Sequence, residues 1–243
     1  MTEAGKVVFG YAEEIFALGG ELTDVLKGRP RNRPARLVVG VSDLIPKLIA
    51  HRILEPALAI KGGVQIECYE DTPEKLLLSL SAHELDLVLT DAPAHSAVRV
   101  RVFNHLLGTS GVGLFASPKL AGFYRKRYPG SLTGAPFLLP MKNTTSRQTI
   151  DQWFEAHEIR PRIMGEFQDM ALLAMFGQAG TGIFAAPLAI EREVQKLYGV
   201  AKLGDLGDEV AEFYAISAER RIKHPAATVI AEVAKHKLFG GRG

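Results

Sequence analysis

Near the start of the chain the apolar residues Val8, Tyr11, Ile15, Leu18, Leu22 and Val25 are separated by gaps that alternate between three and four. Such a rhythm places two apolar positions in every seven residues. That is the narrow seam of a pairing helix rather than the wider face of a helix lying on its own core. The spacing predicts a helix over 3–26. Gly5, Gly10, Gly19 and Gly20 each weaken a lone helix by up to about 1 kcal/mol relative to alanine, so the helix is expected to need a partner, the alternative being that it packs on its own domain. The segment "KGRPRNRPA" ends it. Pro30 and Pro34 forbid continuation, and Arg29, Arg31, Arg33 and Arg36 keep the segment in water.

From residue 36 the pattern changes to short β-branched runs alternating with helical spacing. "RLVVGVSD" reads as a buried strand, "LIPKLIAHRILEPALAIKGG" as a helix, "VQIECYED" as a strand, "TPEKLLLSLSAHE" as a helix capped by Thr72 with Pro73 at its first position, and "LDLVLTD" as a strand. A second series follows. "VRVRVFNHLLGTSGVGLFAS" is extended, "PKLAGFYRKRYP" a short helix, "PFLLP" a strand and "NTTSRQTIDQWFEAHE" a helix. "RIMGEFQD" is a strand, "MALLAMFGQAG" a helix and "TGIFAAP" a strand. The tail adds a strand, "EFYAIS", and a helix, "PAATVIAEVAKHKL".

Alternating strands and helices imply mostly parallel sheet with right-handed crossovers. "ECYEDT" and "GEFQDM" occupy equivalent places in the two series, so two similar α/β lobes are expected. One strand and one helix remain after the second series, and the simplest closure returns them to the first lobe. The expected division is a pairing helix over 1–28, a linker over 29–35, lobe I over 36–105 and 211–243, and lobe II over 106–210. Two strands then cross between the lobes, near Leu106–Ser110 and Ala211–Tyr214, as a hinge.

Composition adds little to this picture and removes several alternatives. The chain has 243 residues, 47% hydrophobic and 23% charged, which suits a globular domain with a proper core. A net charge of +2 does not describe a nucleic-acid-binding surface. Cys68 is the single cysteine, so no internal disulfide forms and a reducing compartment fits. Glu3, Glu13 and Glu14 interrupt the start, which does not read as a signal peptide, and no apolar run approaches a membrane span. The expectation is a cytoplasmic protein with no membrane partner.

Ligands of open parallel sheets bind beyond the carboxyl ends of the strands. In lobe I those ends carry Ser42, Asp43, Asp71, Thr72, Thr90 and Asp91. In lobe II they carry Asn143, Thr144, Thr145, Ser146, Gln168 and Asp169. Hydroxyls and free N–H groups at helix starts suit a small anion, although each residue taken singly fits plain N-capping. Asp43, Asp71, Asp91 and Asp169 are the candidates for a hard cation, if they converge. Trp153, Phe154, Phe167 and Phe176 are spaced as core, with Phe167 a possible ligand wall. "GQAGTG" follows a helix and precedes a strand, the reverse of a phosphate-cradling loop. No metal-ligand spacing of His and Cys and no nucleophile elbow appears, so neither catalysis nor a cofactor is expected.

"TEAGKVVFGYAEEI", "RLVVGVSD", "ELDLVLTD", "GLFASP" and "AGTGIFAAP" together resemble the LysR-type transcriptional regulators over essentially the whole chain. The resemblance implies a periplasmic-binding-protein-like pair of lobes with an effector in the cleft, preceded by a dimerisation helix. It implies that a winged helix-turn-helix reads promoter DNA upstream of Thr2 and is absent from this chain, and that the chain forms homodimers or homotetramers. Effector contacts carried over from the family fall on Ser42, Thr144, Thr145 and Ser146, with Thr90 and Phe167 as further walls. Within the family, "YAEEIFALGGEL" and "LPMKNTTSRQTIDQWF" are similar to an activator of a sodium/proton antiporter gene, which implies a response to sodium or pH. The alternative is a two-lobed solute-binding protein or small enzyme of the same architecture.

Overall fold

The run over Ala35–Ser42 forms strand β1, flanked in parallel by β2 (Val64–Asp71) and β3 (Leu87–Thr90). Leu37, Val39 and Val41 point to a core shared with helices α1 (Lys47–Leu58) and α7 (Pro225–Val233). Val38 points the other way, to Leu76, Leu77 and Leu80 of α2 (Pro73–Ser81). A strand covered on both faces has to be apolar without alternation, and "LVVGV" is. Its glycine is a packing requirement, because a Cβ on Gly40 would lie 2.8 Å from the side chains of Leu76 and Leu85.

The computed structural model describes residues 2, 5, 8, 9, 11, 12, 15, 16, 19, 34–94, 101–142, 144–222 and 224–240. After β3 come β4 (Phe103–Ala116), α3 (Pro118–Tyr124), β5 (Pro136–Pro140), α4 (Thr145–Ala156), β6 (Arg162–Phe167), α5 (Met170–Gln178), β7 (Phe184–Pro187), α6 (Glu191–Tyr198) and β8 (Ala201–Ser217), ahead of α7. The six-stranded sheet has the order β2-β1-β3-β8-β4-β7, and β5 and β6 pair separately. A parallel bridge from Phe137 to Ile183 ties that pair to the segment leading into β7. Leu132, Phe137, Ile150, Trp153, Phe154 and Leu203 form the core on this side.

The two long strands β4 and β8 connect the halves. They are antiparallel, paired from Phe103–Ser217 beside β3 to Ala116–Ala201 beside β7. Register shifts fall at Leu106/Gly108, Gly111/Gly113 and Leu114/Phe115. At the first shift Gly108 adopts φ +154°, and the Phe239 side chain packs where a Cβ would stand. The Phe239 ring in turn stacks on Phe213 of β8, with centroids 5.1 Å apart. The halves also share one core, in which Ile49, Ile53 and Leu107 join Phe115, Phe184 and Ile190. An ion pair between Arg52 of α1 and Glu193 of α6 borders it.

Helix α6 and the first half of β8 are not foreseen in the sequence. The segment "EREVQKLY" is mostly charged and buries only Val194 deeply, and Gly199 closes it at φ +60°. "AKLGDLGDEV" reads as loop because of its glycines, yet β4 supplies its ladder.

In the leading segment Gly5, Val8, Phe9, Tyr11, Ala12, Ile15, Phe16 and Gly19 are helical. The Thr2 hydroxyl caps the start, accepting from the Gly5 N–H at 3.1 Å. Val8, Tyr11 and Ile15 are 67%, 50% and 68% exposed. Tyr11 does touch the body of the protein, its ring meeting His83 edge-on at 6.1 Å. Leu18, Leu22 and Val25 lie outside the described residues, as does most of the linker. Among the described residues no helix is long and apolar enough to cross a membrane.

Candidate functional site

A small cleft, with about 60 Å³ of enclosed space, lies between the strand ends of the two halves. One side is Leu44 and Pro46 with Asp91, from the turns after β1 and β3. The other side is Thr145, Ser146 and Thr149, from the first turns of α4. The crossing strands contribute Val112, Glu212 and Phe213.

Local chemistry explains why each wall stands where it does. Thr144 caps α4: its hydroxyl oxygen accepts from the Arg147 N–H at 3.2 Å and its hydroxyl donates to the Met141 carbonyl at 2.9 Å. Arg147, only 4% exposed, donates to the Pro140 carbonyl at 2.9 Å, to Glu166 at 2.5 Å and to Asp151 at 2.9 Å. It therefore fastens the start of α4 to β5 and β6. Arg147 also holds the Glu166 carboxyl below the usual carboxylate range.

Most of the strand-end hydroxyls serve the backbone. Ser42 is fully buried and accepts from the Leu44 N–H at 3.2 Å. Thr90 accepts from the Ala92 N–H at 3.4 Å. With Thr144 these are capping and turn contacts, and none of the three lines the cleft. Thr145 and Ser146 do line it. Phe167 packs on Phe176, ring centroids 5.1 Å apart, and lies against the shared core. Gln168 reaches across from the end of β6 and donates to Asp43 after β1 at 2.7 Å, so one hydrogen bond joins the two sides.

The four aspartates separate. Asp169 caps α5 through the N–H groups of Ala171 and Leu172. Asp71 accepts from the Thr72 N–H at 2.8 Å and pairs with Lys75, and the Thr72 hydrogen bond first, then Lys75, pulls its carboxyl below the usual range. Only Asp43 and Asp91 lie close together, each with a buried Oδ1 that has no hydrogen-bond partner. Among the described residues no three of His, Cys, Asp and Glu gather into a metal site. Thr149 and Glu212 are the polar lining residues the sequence reading missed, and the apolar walls were not foreseen. Thr149 sits one helical turn beyond Thr145, and that spacing would have found it.

Burial raises the Asp91 carboxyl, and the Asp43 charge raises it further. The folded chain then holds this proton more tightly than the unfolded chain does. Its contribution to stability is full below the ordinary aspartate range and is lost as pH rises through the raised folded value. Asp91→Asn removes that loss. The variant is expected to melt higher near neutral pH by about 1–3 kcal/mol, roughly 2–10 °C for a chain of this length. The gain should vanish below about pH 3, where the wild-type group is protonated. Thermal denaturation across pH checks it.

Two α/β halves with a cleft at their strand ends, joined by paired crossing strands, define an effector-binding type of domain. Residues 31–238 match the LysR substrate binding domain family, and the chain belongs to it. It is 29% identical over 238 residues to the transcriptional activator protein NhaR of Escherichia coli strain K12, covering 98% of this chain and 78% of that protein. Among solved structures, full-length CbnR complexed with its target DNA superposes with a TM-score of 0.64 at 16% identity, over 97% of this chain and 81% of that one. The reduced regulatory domain of OxyR2 from Vibrio vulnificus gives 0.63 at 16% identity, over 84% and 95%. The expected α/β fold of two similar lobes is therefore the observed one.

Proposed function

We propose that this chain is the effector-sensing and self-associating part of a LysR-type transcriptional activator, working in the cytoplasm and not as an enzyme. The lobes are residues 36–105 with 211–243, and 106–210, and the cleft between them takes the effector. The likeness to NhaR supports the activator role. Contact with promoter DNA falls to a region outside this chain. The seam of Val8, Tyr11 and Ile15, with Leu18, Leu22 and Val25, pairs two copies, and a dimer of dimers is compatible with it. Of the sodium or pH response that the sequence resemblance implies, the pH response belongs to the same proposal. Asp43 and Asp91 are the pair on which a proton would act.

The observation that carries this reading is the hydrogen bond between Gln168 and Asp43, made across the cleft by residues far apart in sequence. A contact that exists only when the lobes approach is one that an effector can strengthen or replace. The effector shifts the equilibrium by no more than its differential affinity for the open and closed forms. Gln168→Ala is expected to widen the distribution of distances between a dye on α2 and a dye on α4, read by single-molecule energy transfer. An unchanged distribution would remove the support for a closing cleft.

A further inference from the structure

We propose that the cleft takes a small organic cation, an amine with a short apolar body, and that Asp91 and Glu212 are its counter-charges. This deepens the sensing role proposed above and rests on it. The walls are mostly apolar, with Leu44, Val112, Ile150, Met170 and Phe213 among them. The charged residues on them are Asp91 and Glu212, and no Lys, Arg or His stands among the described residues that line the space. Three cations of the surrounding elements are engaged elsewhere: Arg147 with Asp151 and Glu166, Lys47 with Glu70, and Lys202 with Glu191 and Asp205.

Each class of ligand meets these walls differently. A carboxylate or phosphate would enter a partly desolvated space beside two carboxylates with no cation to receive it, which like-charge repulsion opposes. A bare metal ion needs several oxygen ligands around it, and the apolar walls do not supply them. A neutral apolar solute fills the walls and leaves the Asp91 and Glu212 charges without a counter-charge. An ammonium group brings up to three N–H donors and the missing charge. A body of a few methylenes then covers Ile150, Met170 and Phe213. Glu212 is exposed, at the mouth of the cleft, and its carboxylate also accepts from the Tyr214 hydroxyl at 2.6 Å. It meets an incoming cation before Asp91 does.

The test uses the whole chain near neutral pH with hexylammonium chloride, sodium hexanoate, hexanol and sodium chloride at matched ionic strength. Melting temperature and calorimetric titration are the readouts. Hexylammonium should raise the melting temperature and give a saturable heat, and the other three should not. Asp91→Asn, which is expected to be the more stable protein, should bind hexylammonium roughly tenfold or more weakly through loss of a charge-assisted hydrogen bond. Glu212→Gln should weaken binding by a smaller factor.

Equal binding of hexanoate would overturn the proposal, as would a shift reproduced by sodium chloride. So would unchanged affinity in Asp91→Asn, or no response to any alkylammonium from propyl to octyl. The dye-distance result for Gln168→Ala is independent of ligand charge. A cleft that closes but rejects amines would sink this inference and leave the sensing role standing.

Discussion

Ile15→Glu is expected to sediment as a monomer at concentrations where the unaltered chain, if paired as proposed, sediments as a dimer. Ile15 is 68% exposed on the leading helix, and Val8, two turns earlier on the same face, is equally bare. Burying an isoleucine side chain contributes about 1.5–3 kcal/mol, and a two-fold interface contains each residue twice. The substitution therefore removes roughly 3–6 kcal/mol, a change of about 10²–10⁴-fold in the dimer dissociation constant. It also sets two carboxylates against each other across the seam. The thermal unfolding of the lobes should stay where it was, because Ile15 packs little against them. Sedimentation velocity over a dilution series reads the effect. A dimer that survives the substitution would show that the helix is not the clasp.

Gly108→Val unfolds the protein several degrees earlier, with an expected cost of about 2–5 kcal/mol. Two penalties add. The backbone sits at φ +154°, a conformation that a β-branched residue avoids at a cost of order 1–3 kcal/mol. The new side chain also enters space held by Phe239, and overpacking of this kind costs about 1–3 kcal/mol. Relief by expelling Phe239 would break its stack on Phe213. Gly122→Val supplies the comparison, since nothing lies within 4 Å of a Cβ there. Equal melting temperatures for the two variants would refute the tight crossing.

The strands most readily read from sequence are those whose environment is uniform. "LVVGV" is apolar throughout because both faces of β1 are covered. "PFLLP" is fully buried for the same reason. Thr144 and Asp169 are legible as caps, since their chemistry is local. The first half of β8 is not legible: its partner β4 lies about a hundred residues earlier, and the pairing, not the intrinsic preference of "GDLGDEV", makes it a strand. The cleft is only partly legible for a related reason. Strand-end position puts Thr145, Ser146 and Asp91 in the lining. It cannot distinguish them from Ser42 and Thr90, whose hydroxyls turn back to nearby N–H groups. Glu212 comes from a crossing strand, where no strand-end rule looks.

β4 and β8 stay hydrogen-bonded to each other through the passage, at Thr109–Glu212 and Ser110–Ala211. Beside them Ile49 and Ile53 share one core with Phe184 and Ile190. The molecule is thus bound along a spine, like a book. Sliding one cover past the other would break the ladder, whereas tilting them about the spine would not. Under the proposed sensing role, a ligand between the pages would be read out as a change in that angle of tilt, worked against the resistance of the shared core.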